Sequence, residues 1–179
     1  WIASGHSERS GVDDGCRAFE CVGGALQRQN LYGRELAQVL RLGRIALVAR
    51  NLERAEALRA LAPGIDVHTF DFDRADVAFG GAAAIINASP LGMAGTDPMP
   101  QSLLDAVRSH AEAATVFDLV TTPGQTEFLA AGESGGGTTV DGLTMLVGQA
   151  ARAFELFFGV PAPAPDQRLR DLLICEEPK

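Results

Sequence analysis

The sequence nearly lacks lysine. Of its 15 basic residues 14 are arginine, and the remaining one is the terminal Lys179. No step that needs a buried lysine of tuned pKa can therefore be assigned to the middle of this chain. Cysteine is also sparse. Cys16, Cys21 and Cys175 are odd in number and have no metal-ligand spacing, which excludes a disulfide framework and reads as reduced thiols in a cytosolic protein. A positive charge excess is missing, since 23 acidic against 15 basic residues leave a formal charge of −8. That sign argues against nucleic acid or a polybasic membrane surface as partner. No apolar run reaches the roughly 20 residues of a membrane span, and no basic stretch followed by an apolar one marks a signal peptide. His6, His68 and His110 stand far apart, so no metal site is expected.

What the chain does have is apolar periodicity: 46% apolar and 21% charged residues suffice for one soluble domain with a buried core. Residues 1–31 are polar and glycine-rich and read as a leader, disordered or without regular structure, with at most a weak strand around Ala18–Val22. The domain is placed at residues 32–179. Leu36, Val39 and Leu40 keep helical spacing up to Gly43, and Ile45–Ala49 is too short for a helix, as expected of a buried parallel strand. Asn51 suits the cap of a helix carrying Ala55, Leu58 and Leu61 inward. Val67–Phe70, Ala82–Ile86, Thr115–Val120 and Thr138–Val140 follow as strands, separated by helices at Ser102–Ser109 and after Thr126. The alternation predicts parallel βαβ units. A long amphipathic helix over Leu143–Phe158 has Leu146, Val147, Ala150, Phe154 and Phe157 inward and Gly159 as its stop. Pro161, Pro163 and Pro165 then space it from a last helix with Leu169, Leu172 and Leu173.

In such sheets ligands bind beyond the carboxyl ends of the strands. The second strand ends in Ala49-Arg50-Asn51-Leu52-Glu53-Arg54. An arginine here can grip a 2′-phosphate, where an NAD site would place Asp or Glu. Arg50 and Arg54 fit equally well as solvated arginines on a helix face. A dinucleotide also needs a glycine-rich turn after the first strand. Counting back from Leu36 and Gly43 puts it at Arg28–Gly33, where one glycine stands; Gly23-Gly24 would serve if the helix began about two turns earlier. Asn87-Ala88-Ser89-Pro90-Leu91-Gly92-Met93 forms a turn of small residues after the next strand. Asp118, at a strand end, suits a cap or turn acceptor better than a general base.

Taken in order, Asn87–Met93, then Phe117-Asp118-Leu119-Val120 with Pro123 and Thr126, then Asp141-Gly142-Leu143-Thr144-Met145-Leu146-Val147-Gly148-Gln149-Ala150 resemble the successive signatures of shikimate dehydrogenases. The likeness runs from about Gly33 to Pro163, and its last stretch is the most specific. It implies an α/β, Rossmann-like doubly wound parallel sheet in three layers, α/β/α, with C-terminal helices. It also implies an NADP-dependent oxidoreductase that interconverts 3-dehydroshikimate and shikimate. By motif, Arg50 and Arg54 would hold the 2′-phosphate, Ala88, Ser89, Leu119 and Gly142 would line the nicotinamide side, and Gln149 and Thr121 would face the substrate. Thr121 replaces the tyrosine usual in the family. The family's proton-transferring Lys and Asp belong to an N-terminal substrate domain without counterpart here, so no catalytic residue is assigned and the chain reads as a cofactor-domain portion. Alternatives are a non-catalytic NADP-binding or interaction module and a quinate/shikimate dehydrogenase relative acting on quinate or using NAD. The uncovered inner faces of the last helices would also allow a homo-oligomer.

Overall fold

The computed structural model describes residues 20–23, 43–59, 65–121 and 124–174. Six strands form one parallel sheet: β1 (Glu20–Gly23), β2 (Arg44–Val48), β3 (Asp66–Phe70), β4 (Ala84–Ala88), β5 (Thr115–Asp118) and β6 (Thr138–Val140), in the order β3-β2-β1-β4-β5-β6. Among the described residues six helices accompany them: α1 (Leu52–Arg59), α2 (Ala75–Phe79), α3 (Gln101–His110), α4 (Glu127–Ser134), α5 (Gly142–Phe158) and α6 (Gln167–Ile174).

Both faces of the sheet are covered, and β2 shows why its sequence is a continuous apolar run. Strand side chains alternate between faces. Ala46 and Val48 join the larger core with Phe79, Leu103, Val107, Phe128 and Leu129 from α2, α3 and α4. Leu47 and Ala49 join the smaller one with Ala55 of α1 and Val67 of β3. The three-layer doubly wound arrangement expected from the strand–helix alternation is the observed one.

Capping follows the side chains. Asn51 Oδ1 accepts from the Arg54 N–H at 2.9 Å, Thr126 Oγ1 from the Leu129 N–H at 3.2 Å and Asp141 Oδ1 from the Thr144 N–H at 2.7 Å, each satisfying a donor of the first helical turn. Gly159 ends α5 in the left-handed region at φ 68°, where a side chain would be strained.

Several expectations are corrected. The leader expected over residues 1–31 contains β1, which overlaps the weak strand expected around Ala18–Val22 and lies between β2 and β4 inside the sheet. Strand pairing of these four residues overrides their weak local pattern. The helix expected before Gly43 lies outside the described residues. β4 runs through Asn87 and Ala88 rather than stopping before them, because Asn87 finds internal partners at that depth. A 3-10 turn (Phe72–Arg74) and α2 were not anticipated; the signal was Asp71, whose carboxylate accepts from the Arg74 N–H at 3.1 Å. The inward face expected for α5 is only partly inward: Gly142 and Leu143 are buried, whereas Leu146 is 44% and Phe157 84% exposed.

Candidate functional site

The strand order reverses direction between β1 and β4, and that is where an open α/β sheet leaves a crevice beyond its carboxyl ends. Gly23, the last residue of β1, is in register with Ala88, the last of β4. Gly23 thus ends the first strand at this edge; Gly24 and Arg28–Gly33, the two places weighed for the glycine turn, lie outside the described residues. Val22 is in register with Val48, so Arg50, two residues further, stands on this same edge.

The carboxyl ends of β4 and β5 are joined by a buried polar network. Asn87 and Asp118 are register partners, both with no exposed surface. Asn87 Nδ2 donates to Asp118 Oδ1 at 3.0 Å and to the Leu91 carbonyl at 3.3 Å. Its Oδ1 accepts from the Ser89 N–H at 3.0 Å and the Ser89 hydroxyl at 2.7 Å. Asp118 Oδ1 also accepts from the Val120 N–H at 3.0 Å, and Oδ2 from the Thr126 hydroxyl at 2.6 Å. Burial holds the Asp118 carboxyl above the usual aspartate range, against the downward pull of its hydrogen bonds from Thr126, Val120 and Asn87. All its contacts are donors within the fold, which makes it a turn acceptor and not a base facing a ligand. The network fixes both the Ser89 turn and the Leu119–Val120 segment at one edge, and the Leu119 N–H adds a bond to the Asn87 carbonyl at 2.9 Å.

Of the residues singled out by sequence, Ala88 and Ser89 sit at the crevice; Ser89 is buried and Ala88 half-buried. Leu119 and Gly142 are brought together: a Cβ on Gly142 would stand 2.7 Å from the Leu119 carbonyl oxygen and 2.6 Å from that of Val120. Arg50 is exposed and forms an ion pair with Asp97 at 3.5 Å. Asp97 belongs to the loop after β4, so Arg50 and the Asn87 turn share one side of the sheet. Arg54 is exposed on the first turn of α1. Thr121 is exposed just past β5, and Gln149 is exposed on α5, seven residues, or about 10 Å, beyond Gly142.

Sequence reasoning missed Asn87, Thr126 and Asp97 as members of the site. A polar residue ending each of two adjacent apolar strands was the available signal for the first. Asp97 had none, since its role depends on the path of a loop. Away from this edge, α5 and α6 enclose an open apolar groove of about 700 Å³ lined by Leu143, Leu146, Val147, Phe154, Leu169 and Leu173. Among the described residues no group of His, Cys, Asp or Glu could hold a metal ion, and no helix is long and apolar enough to cross a membrane.

Small residues border the crevice, and the exposed Arg50 stands on the same edge. Residues 142–166 match the family described as Shikimate 5'-dehydrogenase C-terminal domain. The chain is 41% identical over 140 residues to "Shikimate dehydrogenase (NADP(+))" of Sphingopyxis alaskensis, covering 75% of this chain and 47% of that protein. Among solved structures it is similar to a quinate dehydrogenase from Corynebacterium glutamicum in complex with NAD, at TM-score 0.65 and 27% identity over 87% of this chain and 54% of that one. It is also similar to a shikimate 5-dehydrogenase from Thermus thermophilus in complex with NADP(H) and shikimate, at TM-score 0.58 and 27% identity over 80% and 50%. The chain spans about half the length of the curated relatives it matches.

Proposed function

From its kinship with the shikimate dehydrogenases, whose C-terminal half it matches in sequence and in fold, we propose that this chain is the cofactor-binding part of an NADP-dependent shikimate dehydrogenase. The reaction is the reduction of 3-dehydroshikimate to shikimate in aromatic amino-acid biosynthesis. The observation that carries the reading is the placement of Arg50 and the Asn87–Met93 turn on one edge of the sheet, linked through Asp97. Arg50, with Arg54 a turn later, would hold the 2′-phosphate, and Ala88, Ser89, Leu119 and Gly142 would border the nicotinamide half. NADPH bound there would supply the hydride. Thr121, exposed just past β5, and Gln149, exposed on α5, would contact the substrate from the cofactor side.

Hydride addition to a carbonyl leaves charge on oxygen that a positioned acid must neutralise, an effect of about 10²–10⁴-fold. No residue of this chain is assigned that role, and its single lysine is Lys179. The cofactor unit includes β1 as well as residues 32–179, since that strand lies inside the sheet. A cytoplasmic location goes with the proposed biosynthetic role. Self-association through the exposed Leu156, Phe157 and Phe158 belongs to the same reading, and Phe157→Ser should lower it in sedimentation velocity.

Titration of the 179-residue chain with NADPH, followed by nucleotide fluorescence, tests the cofactor assignment: NADPH is expected to bind more tightly than NADH. Equal affinity for the two would remove it. Addition of a separately produced substrate domain then tests for recovered shikimate oxidation. A second reading, quinate oxidation with NAD, is favoured by the likeness to the Corynebacterium enzyme, and the same titration separates the two.

A further inference from the structure

Arg50, the residue that would meet the 2′-phosphate, faces an acidic competitor held in place by the fold. Asp97 stands on the same loop as Ser89, eight residues further along, and its carboxylate reaches the Arg50 guanidinium at 3.5 Å. The loop is tied to itself at several points. The Asp97 carbonyl accepts from the Gly92 N–H at 3.0 Å, and the Met93 N–H donates to the Pro90 carbonyl at 3.1 Å. Thr96 Oγ1 lies 2.5 Å from the Pro90 carbonyl oxygen and 2.8 Å from that of Met93. Gly92 takes φ 81°, which lets the chain double back so that Asp97 returns to the Gly92 backbone. The acid is therefore delivered to Arg50 by a turn anchored at its base through the buried Asn87.

We propose that Asp97 is a specificity-determining residue of the nucleotide site: its carboxylate contests Arg50 with the 2′-phosphate and narrows the preference for NADP over NAD. This rests on the proposed NADP site. The physical ground is charge. A phosphomonoester near −2 that approaches Arg50 also approaches the Asp97 carboxylate, and the two like charges repel with a strength set by their separation. The adenosine ribose of NAD carries no such charge at its 2′-position and gains nothing from removal of the acid. Both side chains are well exposed, so water and salt screen the effect, and its size is that of a surface charge pair.

The test measures the affinity of the full chain for NADP and for NAD, and for adenosine 2′-monophosphate against adenosine, in wild type, Asp97→Asn, Asp97→Ala and Arg50→Ala. Both Asp97 variants should bind NADP and the 2′-monophosphate about two- to fivefold more tightly at low ionic strength, with NAD and adenosine unchanged. The gain should shrink in 0.5 M salt, roughly a Debye length of 4 Å. Unchanged or weaker 2′-phosphate binding in both Asp97 variants overturns the proposal, as does an equal gain for NAD. If Arg50→Ala weakens NADP binding while the Asp97 variants do nothing, the inference fails alone. If Arg50→Ala has no effect, the phosphate site itself is wrong and the inference falls with it.

Discussion

Arg50, two residues past the end of β2, and Asp97, in the loop after β4, meet at 3.5 Å across the carboxyl edge of the sheet. The contact joins the strand that would carry the adenosine end of a dinucleotide to the loop that begins at Ser89. Charge-assisted hydrogen bonds contribute about 1.5–3 kcal/mol each. Arg50→Ala should accordingly weaken NADP binding about ten- to hundredfold and leave NAD affinity nearly unchanged. Parallel fluorescence titrations check this, and a comparable loss for both nucleotides would point to a general loss of fold instead of a phosphate contact.

The Asn87–Asp118 pair should be costly to break. Asp118→Ala leaves the Val120 N–H and the Thr126 hydroxyl without the acceptor they have now, and reduces Asn87 Nδ2 to one long bond at 3.3 Å. Buried polar groups stranded in this way cost about 1–3 kcal/mol each, so a loss of about 2–4 kcal/mol is expected. The midpoint of urea unfolding, at unchanged slope, measures it. A shift within about 0.5 kcal/mol, the range of ordinary surface substitutions, would mean that water or rearrangement replaces the network.

Periodicity made most of the sheet legible. Ile45–Ala49 and Thr115–Val120 are apolar because their strands are covered on both faces, and the capping residues Asn51, Thr126 and Gly159 act through local chemistry that needs no tertiary context. The weak strand read around Ala18–Val22 overlaps β1, but four residues carry too little pattern to show that it pairs with β2 and β4 inside the sheet. The exposed face of α5 misled in the opposite direction. Leu146 and Phe157 keep helical spacing, which fixes an apolar stripe without saying what covers it. For the candidate site, motif resemblance located Ala88, Ser89 and Gly142. The partnership of Asn87 with Asp118 arises from strand register, 31 residues apart.

Acid should act on two aspartates with opposite sign. Burial raises the Asp118 carboxyl above its ordinary 3.8. In the window just above 3.8 the folded state then binds more protons than the unfolded state, so the Asp118 contribution becomes more favourable as pH falls through the folded pKa. Asp105 is lowered by hydrogen bonds from Gln101 and Arg108. Its contribution is present above 3.8 and is lost as pH falls through the folded value. As pH falls toward 3.8, stability of wild type relative to Asp118→Asn should rise, while that relative to Asp105→Asn should fall only once pH drops below 3.8. Equilibrium unfolding at closely spaced pH values checks both, and parallel curves for the two variants would contradict the assignment of burial as the cause at Asp118.

Gly142 tests whether the nicotinamide side depends on close backbone approach. Its Cα faces the carbonyls of Leu119 and Val120, and an added methyl would lie 2.7 Å and 2.6 Å from their oxygens. Those carbonyls belong to the segment whose Val120 N–H is held by Asp118, so they cannot retreat without disturbing the buried network. Gly142→Ala should therefore displace the start of α5 from the end of β5, at a cost of about 1–3 kcal/mol, even though alanine is the better helix former. Because the shift occurs where the dinucleotide would pass, NADP and NAD affinity should fall together, unlike the selective loss expected at Arg50. Adenosine 2′-monophosphate, which lacks the nicotinamide half, should bind Gly142→Ala as it binds wild type. If the fragment loses affinity as well, the substitution has disturbed the whole edge, and Gly142 does not mark the nicotinamide end.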